Sequence, residues 1–148
     1  MKKIEKRKIM DEVDIKNTLE RLASEILERH KSYEKIAIIG IRTRGAPLAK
    51  RIKEILEKKL NIQIPFGVLD ITFYRDDLQK ISESPEVKST LIDFDVNDRE
   101  IILVDDVLYT GRTIRSALDA IIDFGRPAKI ELLALIDRGH RELPIHPD

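Results

Sequence analysis

The sequence predicts an α/β domain built on a mainly parallel, twisted sheet flanked by helices. Two observations lead to this prediction: short, continuous apolar runs alternate with amphipathic stretches, and the 148 residues contain no internal repeat or linker. Continuous apolar runs of this kind are typical of strands buried on both faces, and strands that alternate with helices form βαβ units. We therefore expect a single domain over residues 1–148, long enough to bury a core without metal or disulfide help.

The first half of the chain predicts helix, strand, helix and extended chain, in that order. Apolar residues at helical spacing place an amphipathic helix from Asp11 to about His30, and the run Ile36–Ile41 predicts a buried strand because it is too short for a helix. A second helix follows with Pro47 near its first turn, where a missing N–H is tolerated. The segment Ile64–Tyr74 is rich in β-branched and aromatic residues and predicts extended chain. Residues 75–95 are polar and predict a long mobile loop with room for a hairpin.

The second half predicts strand, turn, helix and strand. The apolar run Ile101–Val104 leads into an expected turn at Asp105–Arg112 and then a third helix. Gly125 followed by Pro127 ends that helix, and the run Ile130–Ile136 predicts the last strand. Because the carboxyl ends of parallel strands share one edge of a sheet, the loops that follow the strands are the expected ligand site.

Composition excludes several classes of protein. The chain has no cysteine, which excludes disulfides, thiolate metal centres and cysteine nucleophiles. No apolar run reaches the roughly 20 residues that a membrane-spanning helix needs, and the basic start has no apolar stretch behind it, so we expect a cytoplasmic protein without a membrane partner. The 27 basic residues balance the 27 acidic ones, so a polyanionic partner would have to meet a local basic patch.

The stretch Ile101–Thr113 joins two acidic residues to a phosphate-binding pattern. Asp105 and Asp106 end an apolar strand, where adjacent carboxylates repel and lose solvation unless a sugar diol or a metal–sugar complex donates to them. Tyr109–Thr113 then opens a helix with a glycine and two threonine hydroxyls, a pattern that binds phosphate. The alternative is that Thr113 caps the helix and the aspartates merely end a strand. Found together, the two halves favour a ribose 5-phosphate site.

A second candidate region is the loop Ile41–Gly45. Arg42 and Arg44 bracket a turn at the end of a predicted strand, so their guanidinium groups can donate charge-assisted hydrogen bonds to a pyrophosphate. Gly45 is expected to permit an unusual backbone geometry. The alternative is an ordinary solvated basic loop.

Val104–Thr113 resembles the phosphoribosyl-diphosphate (PRPP) signature of type I phosphoribosyltransferases. Three further segments extend the resemblance to the pyrimidine-operon attenuator/uracil phosphoribosyltransferase family over nearly the whole chain: Gly40–Arg51, Asp70–Leu78 and Asp137–Ile145. The resemblance implies a type I fold with a flexible lid loop, Mg²⁺ as cofactor, a homo-oligomer, and transfer of phosphoribosyl from PRPP to uracil, which forms UMP and pyrophosphate. Family members usually continue past the point where this sequence ends, so a short C-terminal hood is expected.

The resemblance also implies roles for individual residues. Asp105 and Asp106 would hold the ribose hydroxyls, directly or through Mg²⁺ carried by the substrate. The 5-phosphate would be bound by Tyr109, Thr110, Gly111, Arg112 and Thr113, and the pyrophosphate by Arg42, Thr43, Arg44 and Gly45. Arg75, in the segment Tyr74–Asp77, would approach the pyrophosphate from the lid, although an ordinary surface loop would have the same composition. Many purine-specific relatives have an aspartate where this chain has Tyr109, so the tyrosine favours a pyrimidine base.

The segment Asp137–Arg141 follows the last predicted strand, where the family binds the base. The base contacts implied by resemblance are Val107, Asp137, Arg138 and Gly139, although a plain turn containing a glycine explains this segment equally well. The second hypothesis is an RNA-binding regulator that senses UMP and contacts a pyrimidine-operon leader RNA through Arg138, His140 and Arg141. A third is a nucleotide-binding module without catalysis. None of the three histidines has metal-ligand spacing, and we expect them in turns or solvent: His30, His140 and His146.

Overall fold

The computed structural model describes residues 10–71 and 90–148, and in them it has the predicted alternation of helices and strands. A short 3-10 helix at Tyr33–Lys35 precedes the first strand. The helices are α1 (Glu12–Arg29), α2 (Gly45–Leu60) and α3 (Arg112–Phe124), and the strands are β1 (Ile36–Ile41), β2 (Phe66–Leu69), β3 (Glu100–Leu108) and β4 (Lys129–Asp137). The segments 1–9 and 72–89, which include Tyr74, Arg75 and the predicted lid, lie outside the described residues.

The four strands form one parallel sheet in the order β2-β1-β3-β4. Strand β1 is buried along its whole length because its side chains alternate between two cores. Ile36 and Ile38 pack with α1 and α2 on one face, whereas Ala37 and Ile39 pack with α3 on the other. The predicted fold class, a parallel sheet flanked by helices, is therefore confirmed.

Local sequence explains where the helices begin and end. Asp11 caps α1: its carboxylate accepts the backbone N–H of Asp14, whose carboxylate accepts the N–H of Asp11 in return. Helix α3 ends at Gly125, as the Gly-then-Pro pattern predicts, and the Gly125 N–H donates to the Ile122 carbonyl. The side chain of Ile122 is exposed, however, so it does not lie on the core face of α3 with its apolar neighbours.

Two strand boundaries differ from the prediction. Strand β3 does not turn at Asp105: it continues to Leu108, because the ladder with β4 extends to the pair Leu108 and Asp137. Regular structure in the segment predicted as extended from Ile64 is confined to β2, and the part beyond residue 71 is not described. Val68 of β2 exchanges both backbone hydrogen bonds with Leu91, so the end of the long polar segment returns to the edge of the sheet in antiparallel orientation.

The expectation that His30 lies in solvent is wrong. Its side chain has no exposed surface and is held between two strands: Nδ1 is 2.5 Å from a carboxylate oxygen of Glu100, and Nε2 is 2.5 Å from one of Glu131. Glu100 begins β3 and Glu131 lies near the start of β4, so the residue that follows α1 is fixed to the amino-terminal half of the sheet. Among the described residues, no helix is long and apolar enough to cross a membrane.

Candidate active site at the carboxyl ends of the central strands

The strand order places a crevice between β1 and β3. From β1 the chain crosses to β2 on one side, and from β3 it crosses to β4 on the other. The two loops that leave the central strands therefore diverge, and ligands of open α/β sheets bind at such a divergence. These loops are residues 42–44 and residues 109–111, which contain most of the predicted phosphate-binding residues.

Two glycines let the start of α2, which follows the first of these loops, pack closely against β1 and β3. A Cβ on Gly40 would lie 2.7 Å from the Ala46 Cα, and one on Gly45 would lie 2.4 Å from the Val104 carbonyl oxygen. Gly45 is the first residue of α2 and has no left-handed φ, so its requirement is for space rather than for the unusual backbone geometry that we expected. Without a side chain at Gly45, the start of α2 approaches the Asp105 backbone directly.

The loop itself presents three exposed residues to the crevice edge: Arg42, Thr43 and Arg44. The Arg42–Thr43 peptide bond is cis, and the Arg42 N–H donates to the Leu69 carbonyl at the end of β2. Arg44 is the residue before α2, and its Nη1 lies 4.0 Å from Oδ2 of Asp106. Because the Arg44 side chain is 84% exposed, its guanidinium is accessible to an anion in the crevice.

The acidic pair lies in β3 on the other side of the crevice. Asp105 is buried and its Oδ1 accepts the N–H of Asp106, while Oδ1 of Asp106 accepts the N–H of Val107. Burial raises the pKa of the Asp105 carboxyl to about 7, and the neighbouring Asp106 carboxylate adds to the increase. A hydroxyl donor or a cation at this place would stabilise the charged form, which is the chemistry expected of a diol-binding pair.

The second loop leads directly into the amino-terminal end of α3. Gly111 precedes the helix with φ +97°, a left-handed conformation that favours glycine, and the Thr110 hydroxyl accepts the N–H of Arg112. The hypothesis that Thr113 caps the helix is therefore wrong, because Gly111 is the capping residue. The first turn of α3 contains no acidic residue, which leaves the positive end of the helix dipole available to an anion.

The predicted base-binding residues meet beside this loop. The Arg138 N–H donates to the Leu108 carbonyl, and its guanidinium carbon lies 4.2 Å from the centre of the Tyr109 ring. The His140 ring meets Tyr109 edge-on at 6.1 Å. Val107, at the end of β3, is exposed. The stacked arginine and tyrosine link the end of β3 to the turn after β4 through a cation–π contact.

The turn after β4 is organised around Asp137. Its Oδ1 accepts the Gly139 N–H at 3.0 Å, and its Oδ2 accepts from Arg141 Nη2 at 2.8 Å. The hydrogen bond from Arg141, followed by that from Gly139, lowers the pKa of the Asp137 carboxyl. Gly139 has φ +84° with open space around it, so a tight turn needs glycine here.

Sequence reasoning missed that residues 142–145 support the phosphate loop from behind. The N–H groups of Glu142 and Leu143 both donate to the Thr110 carbonyl, and a Glu142 carboxylate oxygen lies 2.7 Å from Nε of Arg112. Leu143 and Ile145 pack near Gly111. These contacts join residues about 30 positions apart in the chain, and no local pattern after Arg141 predicts them.

The structure thus brings the acidic pair, the pyrophosphate loop, the phosphate loop and the base turn to one edge of the sheet. Among residues 10–71 and 90–148, no group of three or more metal-ligating side chains occurs. Arg75 lies outside these ranges, so its role stays a prediction.

Comparisons with known proteins agree with this arrangement. The family model of the phosphoribosyl transferase domain matches residues 8–148. A protein named bifunctional protein PyrR from Caldicellulosiruptor bescii is 55% identical over 142 residues, which cover 96% of this chain and 78% of that protein. One of the same name from Clostridioides difficile is 53% identical over 145 residues, which cover 98% of this chain and 82% of that protein.

Solved structures show the same fold at low sequence identity. A purine phosphoribosyltransferase from Pyrococcus horikoshii superposes with a TM-score of 0.68 at 24% identity, covering 94% of this chain and 81% of that one. A hypoxanthine phosphoribosyltransferase from Staphylococcus aureus gives a TM-score of 0.70 at 18% identity, covering 97% of this chain and 74% of that one. The chain therefore belongs to the phosphoribosyl transferase domain family, within the group of the bifunctional PyrR proteins, as its sequence resemblance predicts.

Proposed function

We propose that this chain transfers the phosphoribosyl group of PRPP to uracil and forms UMP and pyrophosphate. The observation that carries the proposal is the placement of Asp105 and Asp106 between two anion-binding elements. On one side Arg44 lies 4.0 Å from Asp106, and on the other the strand runs directly into the loop that opens α3. Diol acceptors flanked by two phosphate sites match the charge pattern of PRPP.

The acidic pair holds the ribose. The two carboxylates are adjacent in β3 and each already accepts one backbone N–H, which fixes their orientation and leaves the remaining oxygens for the 2- and 3-hydroxyls. The hydroxyl donors offset the burial that raises the pKa of Asp105, so sugar binding favours the charged carboxylate.

The phosphates occupy the two loops. The 5-phosphate binds among Tyr109, Thr110, Gly111, Arg112 and Thr113, where the N–H groups of the first turn of α3 and the threonine hydroxyls donate to it. The pyrophosphate binds at Arg42, Thr43, Arg44 and Gly45, where the exposed arginines supply charge-assisted donors. Arg75, in the predicted lid segment Tyr74–Asp77, would add a further cation near the pyrophosphate.

The donor set at this site fits Mg²⁺ carried by the substrate. Asp105 and Asp106 offer carboxylate oxygens of the kind that magnesium prefers, but with no third ligand in the described ranges they do not form a closed protein site. When bound to the pyrophosphate, the ion supplies charge neutralisation of the leaving group. The arginines of the first loop and the backbone amides supply the rest.

The protein contributes alignment and electrostatic stabilisation. Positive charge develops on the anomeric carbon as pyrophosphate departs, and the carboxylates of Asp105 and Asp106, at the ribose hydroxyls, stabilise that charge. Arg42 and Arg44 stabilise the negative charge of the departing pyrophosphate. No protein nucleophile is needed. Closure of a lid over the site would exclude water from the reactive carbon.

Uracil lies at the turn after β4. Backbone carbonyl groups of Asp137, Arg138 and Gly139 would meet the polar edge of the base, because the N–H groups of Arg138 and Gly139 already donate within the chain. Val107 and the Tyr109 ring would form the apolar side. A polar edge that needs a matching partner makes such a site selective. The tyrosine where many purine-specific relatives have an aspartate favours a pyrimidine.

A PRPP-dependent assay of pyrophosphate release tests the proposal. Among uracil, orotate, hypoxanthine and guanine, we expect turnover with uracil and Mg²⁺. Asp105→Asn and Asp106→Asn should each lower the uracil rate at least about tenfold, or about 1.4 kcal/mol. The matched control is Asp123→Asn on exposed α3, which should react like the wild type. Unchanged turnover in both site variants would remove the diol assignment.

A second function is regulation through RNA. The PyrR relatives are named bifunctional proteins, and Arg138 and His140 are exposed on the turn after β4. Two copies of this turn in a cytoplasmic homo-oligomer would form a basic groove for a leader RNA. A gel shift with a pyrimidine-operon leader at two salt concentrations, with and without UMP, tests this. A gel shift that weakens at the higher salt concentration would support RNA regulation. No shift at either concentration would contradict it and leave the transferase reaction as the remaining function.

A further inference from the structure

Arg141 is the most connected side chain at the base end of the site. Its Nε donates to the Ile145 carbonyl at 2.6 Å, its Nη1 to the Tyr109 carbonyl at 3.0 Å and its Nη2 to the Asp137 carboxylate at 2.8 Å. All three nitrogens of the planar guanidinium therefore hold partners within the chain. The side chain is 19% exposed, in contrast to its exposed neighbours Arg138 and His140.

These three partners belong to three separate parts of the site. The Tyr109 carbonyl lies in the phosphate loop, Asp137 starts the base turn, and Ile145 lies in the segment that packs near Gly111. Arg138 and His140 also connect the turn to the loop, through their contacts with the Tyr109 ring. Both of these residues are exposed, so the guanidinium of Arg141 is better shielded from solvent than either contact.

The planar guanidinium of Arg141 fixes the directions of its three hydrogen bonds. A planar guanidinium donates along fixed directions, so it fixes the distance and angle between the groups that it joins. A lysine in the same place would provide one ammonium for three acceptors and could not reproduce the arrangement. The hydrogen bond from Arg141 also lowers the pKa of the Asp137 carboxyl, which keeps this acceptor charged.

We propose that Arg141 is a positioning residue that holds the base turn at a fixed distance from the phosphate loop. This rests on the proposed function, because the span that Arg141 sets is the span between the 5-phosphate and the base of a nucleoside monophosphate. Arg141 touches neither end of the nucleotide. It acts through the Tyr109 carbonyl and Asp137.

Ligands that differ in length test this proposal. UMP reaches both the phosphate loop and the base turn, whereas ribose 5-phosphate reaches only the loop, which the N–H groups of Glu142 and Leu143 also hold. By calorimetry, Arg141→Gln should weaken UMP binding about tenfold and ribose 5-phosphate binding less than about threefold. In steady state the KM for uracil should rise while that for PRPP stays within about threefold. Arg126→Gln, an exposed arginine in the turn after α3, is the matched control and should match the wild type.

Each outcome decides the matter. Equal losses for UMP and ribose 5-phosphate, or unchanged KM values with a smaller active fraction, would show that Arg141 is merely structural and overturn the proposal. Arg141→Lys keeps the charge and one donor, so an intermediate UMP affinity supports the proposal and a wild-type affinity contradicts it, even if Arg141→Gln fails to fold. A wild-type chain that neither binds UMP nor converts uracil would instead reject the proposed function.

Discussion

The two ends of the sheet treat buried charge in opposite ways. At the amino end, His30 is enclosed, and each ring nitrogen has its own carboxylate, from Glu100 and Glu131. At the carboxyl end of β3, the strand that begins at Glu100, Asp105 is buried beside Asp106, and burial raises the pKa of Asp105 to about 7. At the amino end, the protein itself supplies a partner for each nitrogen of the buried ring. At the carboxyl end, the raised pKa of Asp105 leaves a carboxyl whose charged form a bound hydroxyl donor or cation would stabilise further.

The amino end offers the largest expected loss of stability. His30→Ala leaves a cavity and removes the partner of two carboxylates, so the free energy of unfolding should fall by about 3–5 kcal/mol. Urea denaturation measures it, and His146→Ala, an exposed histidine, should change it by less than about 0.5 kcal/mol. A loss for His30→Ala no larger than that of the control would mean that the buried cluster contributes nothing.

The close approach at the carboxyl end is expected to be the next most sensitive feature. Gly45→Ala places a methyl group 2.4 Å from the Val104 carbonyl oxygen, and backbone on both sides resists movement. Overpacking of this kind costs about 1–3 kcal/mol, and displacing α2 also moves Arg44 away from Asp106. We expect lower stability in thermal melts together with a higher KM for PRPP.

The control for this variant is Ala46→Gly, which adds space rather than filling it. It should cost no more than about 1 kcal/mol, the usual penalty of a helical glycine. If Gly45→Ala melted and reacted like the wild type, the glycine would have no packing role and the start of α2 would be free to shift.

Features that depend on local sequence were predictable, whereas contacts between distant parts of the chain were not. The three helices were predictable from the helical spacing of their apolar residues, and β1 from its short continuous apolar run. The burial of His30 could not be predicted, because its partners Glu100 and Glu131 are 70 and 101 residues away in the chain and no local pattern indicates them. The family motifs predict site residues in short local segments, and the structure places the described ones at one edge of the sheet, while their roles stay predictions.

Elements that depend on pairing partners were predicted less well. Two aspartates suggested a turn at Asp105, yet the ladder with β4 carries β3 on to Leu108. The side chains of Asp105 and Asp106 bond the next backbone N–H without ending the strand. The contacts of Arg141 were also hidden, because a basic residue in a turn has the same composition whether its donors face solvent or carbonyl groups.

The pH dependence of stability tests whether Asp105, unlike the internally paired His30, is buried with too few partners to stabilise its charged form. A raised pKa in the folded state means that this carboxyl stabilises the fold at low pH, and that its contribution is lost as pH rises from about 4 to about 7. Asp105→Asn keeps the acceptor for the Asp106 N–H but cannot ionise. Relative to the wild type, this variant should gain up to about 3 kcal/mol between pH 4.5 and 8, although its uracil turnover falls.

Urea unfolding at several pH values, without ligand, measures that difference directly. Asp123→Asn, whose side chain is exposed, should run parallel to the wild type at every pH. If the Asp105→Asn curve also ran parallel, the carboxyl would not be held in its neutral form in the free protein, and the contrast between the two ends of the sheet would fail.

Exposed charge near the site is expected to matter least. Arg112 and Glu142 form an ion pair of 2.7 Å between the phosphate loop and the segment behind it, but their side chains are 47% and 53% exposed. Solvent screening limits such pairs to about 0.2–1 kcal/mol, so Glu142→Gln should lower stability by no more than about 0.5 kcal/mol, and less in high salt. The backbone N–H of residue 142 still donates to the Thr110 carbonyl in this variant, so PRPP binding should be nearly unchanged. A loss comparable to that of His30→Ala would instead mean that the carboxyl end also depends on internal charge pairing.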